Sequence, residues 1–373
     1  MNNFDFKNFD DEAEGGATPE QRLDAGYSRR DAIRPNKLLD IVLGNKADTD
    51  DSPGTDEPRV NKNTDEPRPD KSTGEPPHVN KSTDEPRPNK INRGARAFIG
   101  CEGEYDESRV VLFGAPFDGT ASYRPGARFA PAAIRNESYS IETYSPYLER
   151  DLADIKVYDG GDLELAFGNT ERVLAQVADF TRVLLSDGKL PVMLGGEHLV
   201  TLGAVRAAHE KHPDVCVVQF DAHADMRDDY LGEKLSHATV MRRCHDLLGD
   251  RRIFQFGIRS GEREEFAFSK NRHFINKFDF SNLGSVLKIL GAKDLPVYFS
   301  IDLDVLDPAD FPGTGTPDAG GVGFQDLLDA VIDVCSLNIV GVDINELSPP
   351  YDPSGRSTGL ACKLLREILL AVK

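Results

Sequence analysis

Val217-Val-Gln-Phe-Asp221-Ala-His223-Ala-Asp225 is the stretch whose reading decides the fold. Its first half is a short apolar run of the kind that forms a buried strand, and its second half carries three metal-ligand side chains at a spacing of two. Two other stretches share the plan. Val192-Met-Leu-Gly-Gly-Glu-His198 leads through two glycines to a histidine, and Ser300-Ile-Asp302-Leu-Asp304 closes the apolar run that begins at Val297. In extended chain, residues two apart point the same way, so Asp221, His223 and Asp225 are expected to face one pocket. Asp302 and Asp304 join them if their strands are neighbours.

Outward from these motifs, apolar runs alternate with amphipathic stretches. Further strands are expected at Val110 to Gly114, Lys156 to Tyr158, Ile253 to Gly257 and Ile339 to Asp343; the runs above extend over Val192 to Gly195, Val215 to Asp221 and Val297 to Asp302. Helices are expected at Glu171 to Leu185, Val200 to His209, Phe324 to Cys335 and Leu360 to Val372. Regular alternation of this kind implies an α/β fold, a three-layer αβα sandwich with a mainly parallel central sheet. In such sheets the ligand site lies beyond the carboxyl ends of the strands.

The first quarter of the 373-residue chain has another texture. From Asp51 to Arg93 the only aliphatic residues are Val60, Val79 and Ile91, and Thr-Asp-Glu-Pro-Arg recurs at Thr55, Thr64 and Thr83, with a degenerate copy at Thr73. Such a stretch buries too little apolar surface to offset its ordering entropy. Residues 1–95 are therefore expected to form a disordered, proline-stiffened extension, with a short helix at Ala32 to Leu43, and residues 96–373 a single catalytic domain. A net charge of −19 leaves no nucleic-acid footprint. The five cysteines, widely spaced and odd in number, suit a reducing compartment. With no signal-like apolar segment and no run near membrane-spanning length, a cytoplasmic protein is expected.

His198, Asp221, His223, Asp225, Asp302 and Asp304 exceed what one tetrahedral zinc ion needs, and carboxylate oxygens without thiolate suit a harder ion such as manganese. Two divalent ions would balance the four aspartates, and coordination lowers the pKa of bound water, so hydrolysis is the expected reaction class. Each motif alone has a plainer reading as a turn or helix cap. Their joint occurrence at three strand ends favours the metal.

On these motifs, and on Asp302-Leu-Asp-Val-Leu-Asp-Pro-Ala-Asp-Phe-Pro-Gly-Thr-Gly-Thr-Pro317, the chain from about Arg109 onward resembles the ureohydrolases, the group of arginases, agmatinases and formiminoglutamases. The resemblance implies that the six residues hold two Mn2+ ions. It also implies that His237, in Ser236-His237-Ala-Thr, shuttles a proton, and that Glu346, in Asp343-Ile-Asn-Glu346, grips a guanidinium group. Ala238 departs from the glycine common in relatives. Gly313 to Gly321 is expected to shape the pocket rim. The segment Met226 to Leu235 has no Asn, Ser or Thr to read an α-carboxylate, which weakens arginine as substrate, and Arg227 to His237 resembles bacterial agmatinases. A small cationic guanidino substrate, agmatine, is expected, with Asp228, Asp229 or Glu233 near its ammonium. Guanidinobutyrate read by Arg227, arginine or guanidine itself is the alternative. A single-zinc deacylase and a non-catalytic regulator of the same fold are weaker alternatives. Relatives are commonly trimers or hexamers, so a homo-oligomer is expected.

Overall fold

A computed structural model describes residues 91–92 and 96–372. The Thr-Asp-Glu-Pro-Arg repeats and the helix expected at Ala32 to Leu43 lie outside the described residues. Among the described residues, nine strands form the main sheet: β1 (Ile91–Asn92), β2 (Val110–Gly114), β3 (Val157–Leu163), β4 (Leu190–Leu194), β5 (Cys216–Phe220), β6 (Ile253–Ile258), β7 (Phe274–Lys277), β8 (Val297–Asp302) and β9 (Ile339–Asn345). Their order is β1-β3-β2-β4-β9-β8-β5-β6-β7, parallel throughout except for the two-residue edge strand β1.

Among the described residues, eight helices cover the sheet: α1 (Ala130–Glu137), α2 (Thr170–Ser186), α3 (Val200–Lys211), α4 (Val240–Leu248), α5 (Arg263–Ser269), α6 (Leu283–Ala292), α7 (Phe324–Val334) and α8 (Arg356–Ala371). Two separate apolar cores show the three layers. One takes in α1, α6, α7 and α8 with Leu112, Val192, Val218 and Phe299 from the strands. The other joins α2, α3 and α4 to Val111, Met193, Val217 and Tyr298. Neighbouring strand residues thus enter opposite cores, as the two-residue period of a pleated strand requires. Because both faces are covered, the strands are apolar runs with few polar interruptions. Among the described residues no helix is long and apolar enough to cross a membrane, and all five cysteines are buried and unpaired.

The topology positions the site. The chain builds one half of the sheet up to β4, crosses to β5, and returns at the end to insert β8 and β9 between them. The four strands carrying the candidate ligands and Glu346 are therefore adjacent, in the order β4-β9-β8-β5, at the place where strand order reverses. Just below Asp221, the Phe220 ring packs against Phe280 at 4.5 Å, Phe299 at 5.0 Å and Phe256 at 5.8 Å between centroids. This cluster of large apolar surfaces anchors the end of β5.

Several expectations need correction. β3 runs to Leu163 rather than stopping at Tyr158, because Gly160-Gly161 reads as a turn but continues the strand, Gly161 adopting φ 83°. β7 and helices α4, α5 and α6 were not read from the sequence; α5, for example, buries only Glu265 and Ser269 and so shows no apolar period. More consequentially, the ligand motifs are not extended chain. β5 ends at Phe220, Asp225 lies at φ 54°, and Asp304 sits in a single 3₁₀ turn, Leu303–Val305, capped by the Asp302 side chain. The motifs converge because tight turns fold at the strand ends.

Beside α4 and β7, His273 is buried with neither ring nitrogen hydrogen-bonded, its ring 4.7 Å from that of His245 and 5.9 Å from that of Phe268. Burial pushes its pKa down from 6.5 to about 3, helped by the neighbouring His245, Arg272 and Arg242. Between those values the unfolded chain binds the proton and the folded chain does not. The stabilisation from a neutral His273 is complete above pH 6.5 and is lost as the pH falls toward 3. His273→Phe should accordingly flatten the acid limb of stability, by up to about 1.4 kcal/mol per pH unit. Denaturant unfolding of both proteins across this range checks it, and parallel limbs would count against it.

Candidate active site

The site is assembled from four strand ends. After β4, Gly195 and Gly196 turn the chain so that His198 stands just before α3. A Cβ at Gly196 would lie 1.9 Å from the Phe117 carbonyl oxygen, and one at Gly195 would lie 1.8 Å from Asn345 Oδ1. Only glycine permits this approach. The contact is used at once, since Glu197 N donates to Phe117 O at 2.7 Å and Glu346 N donates to Gly196 O at 2.9 Å.

His198 is fully buried and held from behind. Its Nε2 lies 2.9 Å from Ser300 Oγ, and Ser300 in turn donates to Asp343 Oδ1 at 2.7 Å. Tyr298 and Asn345 also donate to Asp343, at 2.7 and 2.6 Å. This leaves Nδ1 facing Asp221 at 3.0 Å, Asp225 at 3.1 Å and Asp302 at 3.4 Å, with no well-directed hydrogen bond. The second imidazole, His223, turns its Nδ1 to Asp304 at 3.0 Å and Asp221 at 3.6 Å. Two groups of donor atoms result: His198, Asp221 and Asp225, and Asp221, His223 and Asp304, each with its ligating atoms within 4.8 Å of one another. Asp221 belongs to both. These groups take in five of the six candidates; Asp302 belongs to neither and lies beside them, its Oδ2 3.4 Å from His198 Nδ1.

Electrostatics describe a site short of positive charge. Burial, then the neighbouring Asp304 and Asp221, holds the Asp302 carboxyl well above the ordinary range, and burial with the Asp221 charge raises Asp225 to about 7. Asp221 moves down, because the two imidazoles close beside it outweigh its burial. His198 and His223 are raised, the surrounding carboxylates overcoming a burial that pulls the other way. Like-charged carboxylates crowded in a low-dielectric interior need cations between them. An orphaned imidazole nitrogen among carboxylate oxygens, all hard or borderline donors, fits a pair of divalent ions.

Around the donors lies a cavity of about 250 Å³, lined by both imidazoles, Asp225 and Asp302, and also by His237, Glu346, Arg227 and Tyr230. Glu346 takes φ 64°, a backbone conformation costly for a side chain with a Cβ, and its Oε1 accepts the His198 amide at 2.7 Å. Burial, followed by the Glu197 charge, raises it to about 8. His237 opens a 3₁₀ turn capped by Ser236, and burial lowers its pKa. Thr316, from the glycine-rich loop, reaches the rim as expected and donates to Asp304 Oδ2 at 3.2 Å. Asp228, Asp229 and Glu233 are not among the residues lining this cavity; Asp228 pairs instead with Arg243 at 2.8 Å.

The model for the arginase family matches residues 108–371. The chain belongs to the arginase family. It is 45% identical over 279 residues to the agmatinase of Bacillus subtilis, a match covering 74% of this chain and 96% of that protein. Among solved structures, the agmatine ureohydrolase of Thermoplasma volcanium is 39% identical, with a TM-score of 0.69 over 74% of this chain and 94% of that one. The proclavaminate amidino hydrolase of Streptomyces clavuligerus is 33% identical, with a TM-score of 0.66 over 76% and 98%. Members of this family are binuclear metal hydrolases, and this chain is an enzyme of the agmatinase-type ureohydrolase class.

Two functional supports escaped the sequence reading. Glu197, buried at 1% exposure, accepts the Thr120 amide at 2.9 Å and its hydroxyl at 2.6 Å, and Thr120 Oγ1 accepts the His237 amide at 3.1 Å. Glu197 thereby ties the His237 turn to the His198 strand end. Arg259 donates to the carbonyls of Asp304 at 2.7 Å and Asp318 at 2.8 Å, pinning the loop behind the ligands. Nothing in the spacing of Glu197 or Arg259 marks these long-range partners. Gly196→Ala should overpack the turn, costing at least about 1–3 kcal/mol in denaturant unfolding and lowering metal content together with stability. A variant with unchanged stability would show that the turn relaxes.

Proposed function

We propose that this enzyme hydrolyses agmatine to putrescine and urea with two Mn2+ ions held by His198, Asp221, His223, Asp225, Asp302 and Asp304. The observation that carries the reading is that one cavity is lined from the two donor groups sharing Asp221, from Glu346 and from His237. Bound there, the ions supply Lewis-acid polarisation and a water acidic enough to attack near neutral pH.

The protein's own residues do the rest. The Glu346 carboxyl faces the cavity with one oxygen fixed by the His198 amide, and a guanidinium bound beside it favours its ionised form, so the paired N–H donors are oriented by charge-assisted hydrogen bonds. Holding the guanidinium carbon over the donor groups lowers the entropic part of the barrier. His237, whose Nε2 lies 3.4 Å from Ser122 Oγ at the cavity mouth, takes up a proton there and delivers it to the departing amine. Burial, which favours its neutral form, keeps it ready to accept that proton. The products are urea and a protonated diamine. The resemblance to trimeric and hexameric relatives supports a homo-oligomer in solution.

Urea release from agmatine, arginine and guanidinobutyrate, offered side by side to manganese-loaded protein, tests the substrate. Agmatine should lead in kcat/KM by roughly 100-fold, the discrimination that about 3 kcal/mol of tail recognition gives. Comparable turnover of guanidinobutyrate would move the substrate to the guanidino acids. Because Asp221 is shared, Asp221→Asn should weaken retention of both ions, whereas Asp225→Asn and Asp304→Asn should each weaken one. Losses at least as large as the roughly 10- to 100-fold seen for outer-shell partners are expected by metal titration. Equal patterns in all three variants would refute the shared ligand.

A further inference from the structure

The outer wall of the cavity has its own charge arrangement. Arg227 lines it, and a free guanidinium there would be a receptor for a carboxylate tail, since arginine stays charged and offers paired donors. It is not free. Arg227 Nη1 lies 2.8 Å from Glu262 Oε1, its Nε lies 3.7 Å from Glu265 Oε2, and its guanidinium stacks 4.8 Å over the Tyr230 ring. The Tyr230 ring stands edge-on to His237 at 5.7 Å, which sets this wall beside the proposed proton carrier.

The two glutamates differ in what they can do. Glu265 is buried and already engaged through both oxygens, accepting the Met226 amide at 2.8 Å and the Glu262 amide at 2.6 Å. Glu262 has a half-exposed side chain, lines the cavity, and is steadied by a reciprocal cap with Glu265 at the start of α5. One guanidinium against two carboxylates leaves the wall with one net negative charge. Exposed ion pairs contribute little stability, about 0–1 kcal/mol, so the consequence of this pair is the sign of the wall.

We propose that Glu262 is a specificity-determining residue: by occupying Arg227 and leaving the outer wall net negative, it selects guanidino substrates with an ammonium tail and rejects those ending in a carboxylate. The inference deepens the agmatine reading above and rests on it. Like charges juxtaposed across a small site oppose binding, and opposite charges favour it, so discrimination falls mainly in KM. None of Asp228, Asp229 and Glu233 is needed for this.

The test compares kcat/KM for agmatine and 4-guanidinobutyrate in the manganese-loaded full chain, as wild type, Glu262→Gln, Glu262→Asp and Glu262→Gln/Arg227→Ala. Glu262→Gln should lower the agmatine-to-guanidinobutyrate ratio by about tenfold or more, chiefly through opposite changes in the two KM values. Glu262→Asp, which retains the charge, should keep the ratio near wild type. The double variant should lose whatever Glu262→Gln gains on guanidinobutyrate, because the gain comes through Arg227. A Glu262→Gln ratio within twofold of an agmatine-preferring wild type overturns the assignment of Glu262 alone. A wild type that releases no urea from agmatine overturns the reading beneath it.

Discussion

Six buried carboxylates, those of Glu197, Asp221, Asp225, Asp302, Asp304 and Glu346, crowd the carboxyl ends of β4, β5, β8 and β9, and their mutual repulsion is the constraint on which the structure turns. Burying even one unpaired carboxylate costs several kcal/mol. A fold that gathers six must hold them with backbone amides, imidazoles and bound cations. It does so unevenly. Asp221 and Asp302 accept amides at 2.6 and 2.9 Å from the turns they cap, and Glu197 accepts the Thr120 amide and hydroxyl. Asp225 keeps a raised pKa because burial and Asp221 dominate around it. The rigid sheet beneath, with Phe220 wedged among three other rings, resists this repulsion and keeps the oxygens at ligand spacing.

The same constraint explains the strained backbone. Asp225 and Glu346 both have positive φ without being glycine. A turn there sends each side chain back over the strand ends, which a continuing strand would not do. Such conformations cost of order 1–3 kcal/mol each and persist where the surroundings over-determine them. Here the surroundings are visible: the Asp225 carbonyl accepts amides from Met241 and Arg242 of α4, and the Glu346 amide is held by Gly196.

How much of this the sequence disclosed depended on the kind of signal. The buried parallel strands were legible because apolar runs end in ligand-type residues, and the six ligand candidates were chosen from their spacing and their place at strand ends. The extended geometry inferred from that spacing was not what brought them together. A period of two is shared by strands and by tight capped turns, and Asp302 bonding to the Asp304 amide creates such a turn. Supports such as Glu197 and Arg259 reach partners far along the chain, and a one-dimensional pattern carries no trace of them. The short α5 was illegible for a related reason. It carries Glu262 and Glu265, polar residues whose value lies in a pairing with Arg227 more than thirty positions earlier.

That pairing indicates where substrate choice resides in such a site. The inner half of the cavity is bound by the demands of the metal pair: its carboxylates, imidazoles and strained turns leave no freedom for change without loss of the donors. The outer half is built on the loop from Arg227 to His237 and on the start of α5, where Arg227 and Glu262 stand at the surface and a single charge can be altered without touching a ligand. Catalysis and tail recognition therefore draw on different elements of the fold. In this wall they are linked by Glu265, which holds both the Met226 amide, directly after Asp225, and the Glu262 amide, and by the Tyr230 ring, which stands between Arg227 and His237. A change of tail preference that leaves Glu265 in place can proceed at the rim while the donor geometry stays as it is, which is why the sign of one exposed side chain outweighs the more numerous acidic residues lying further along the loop.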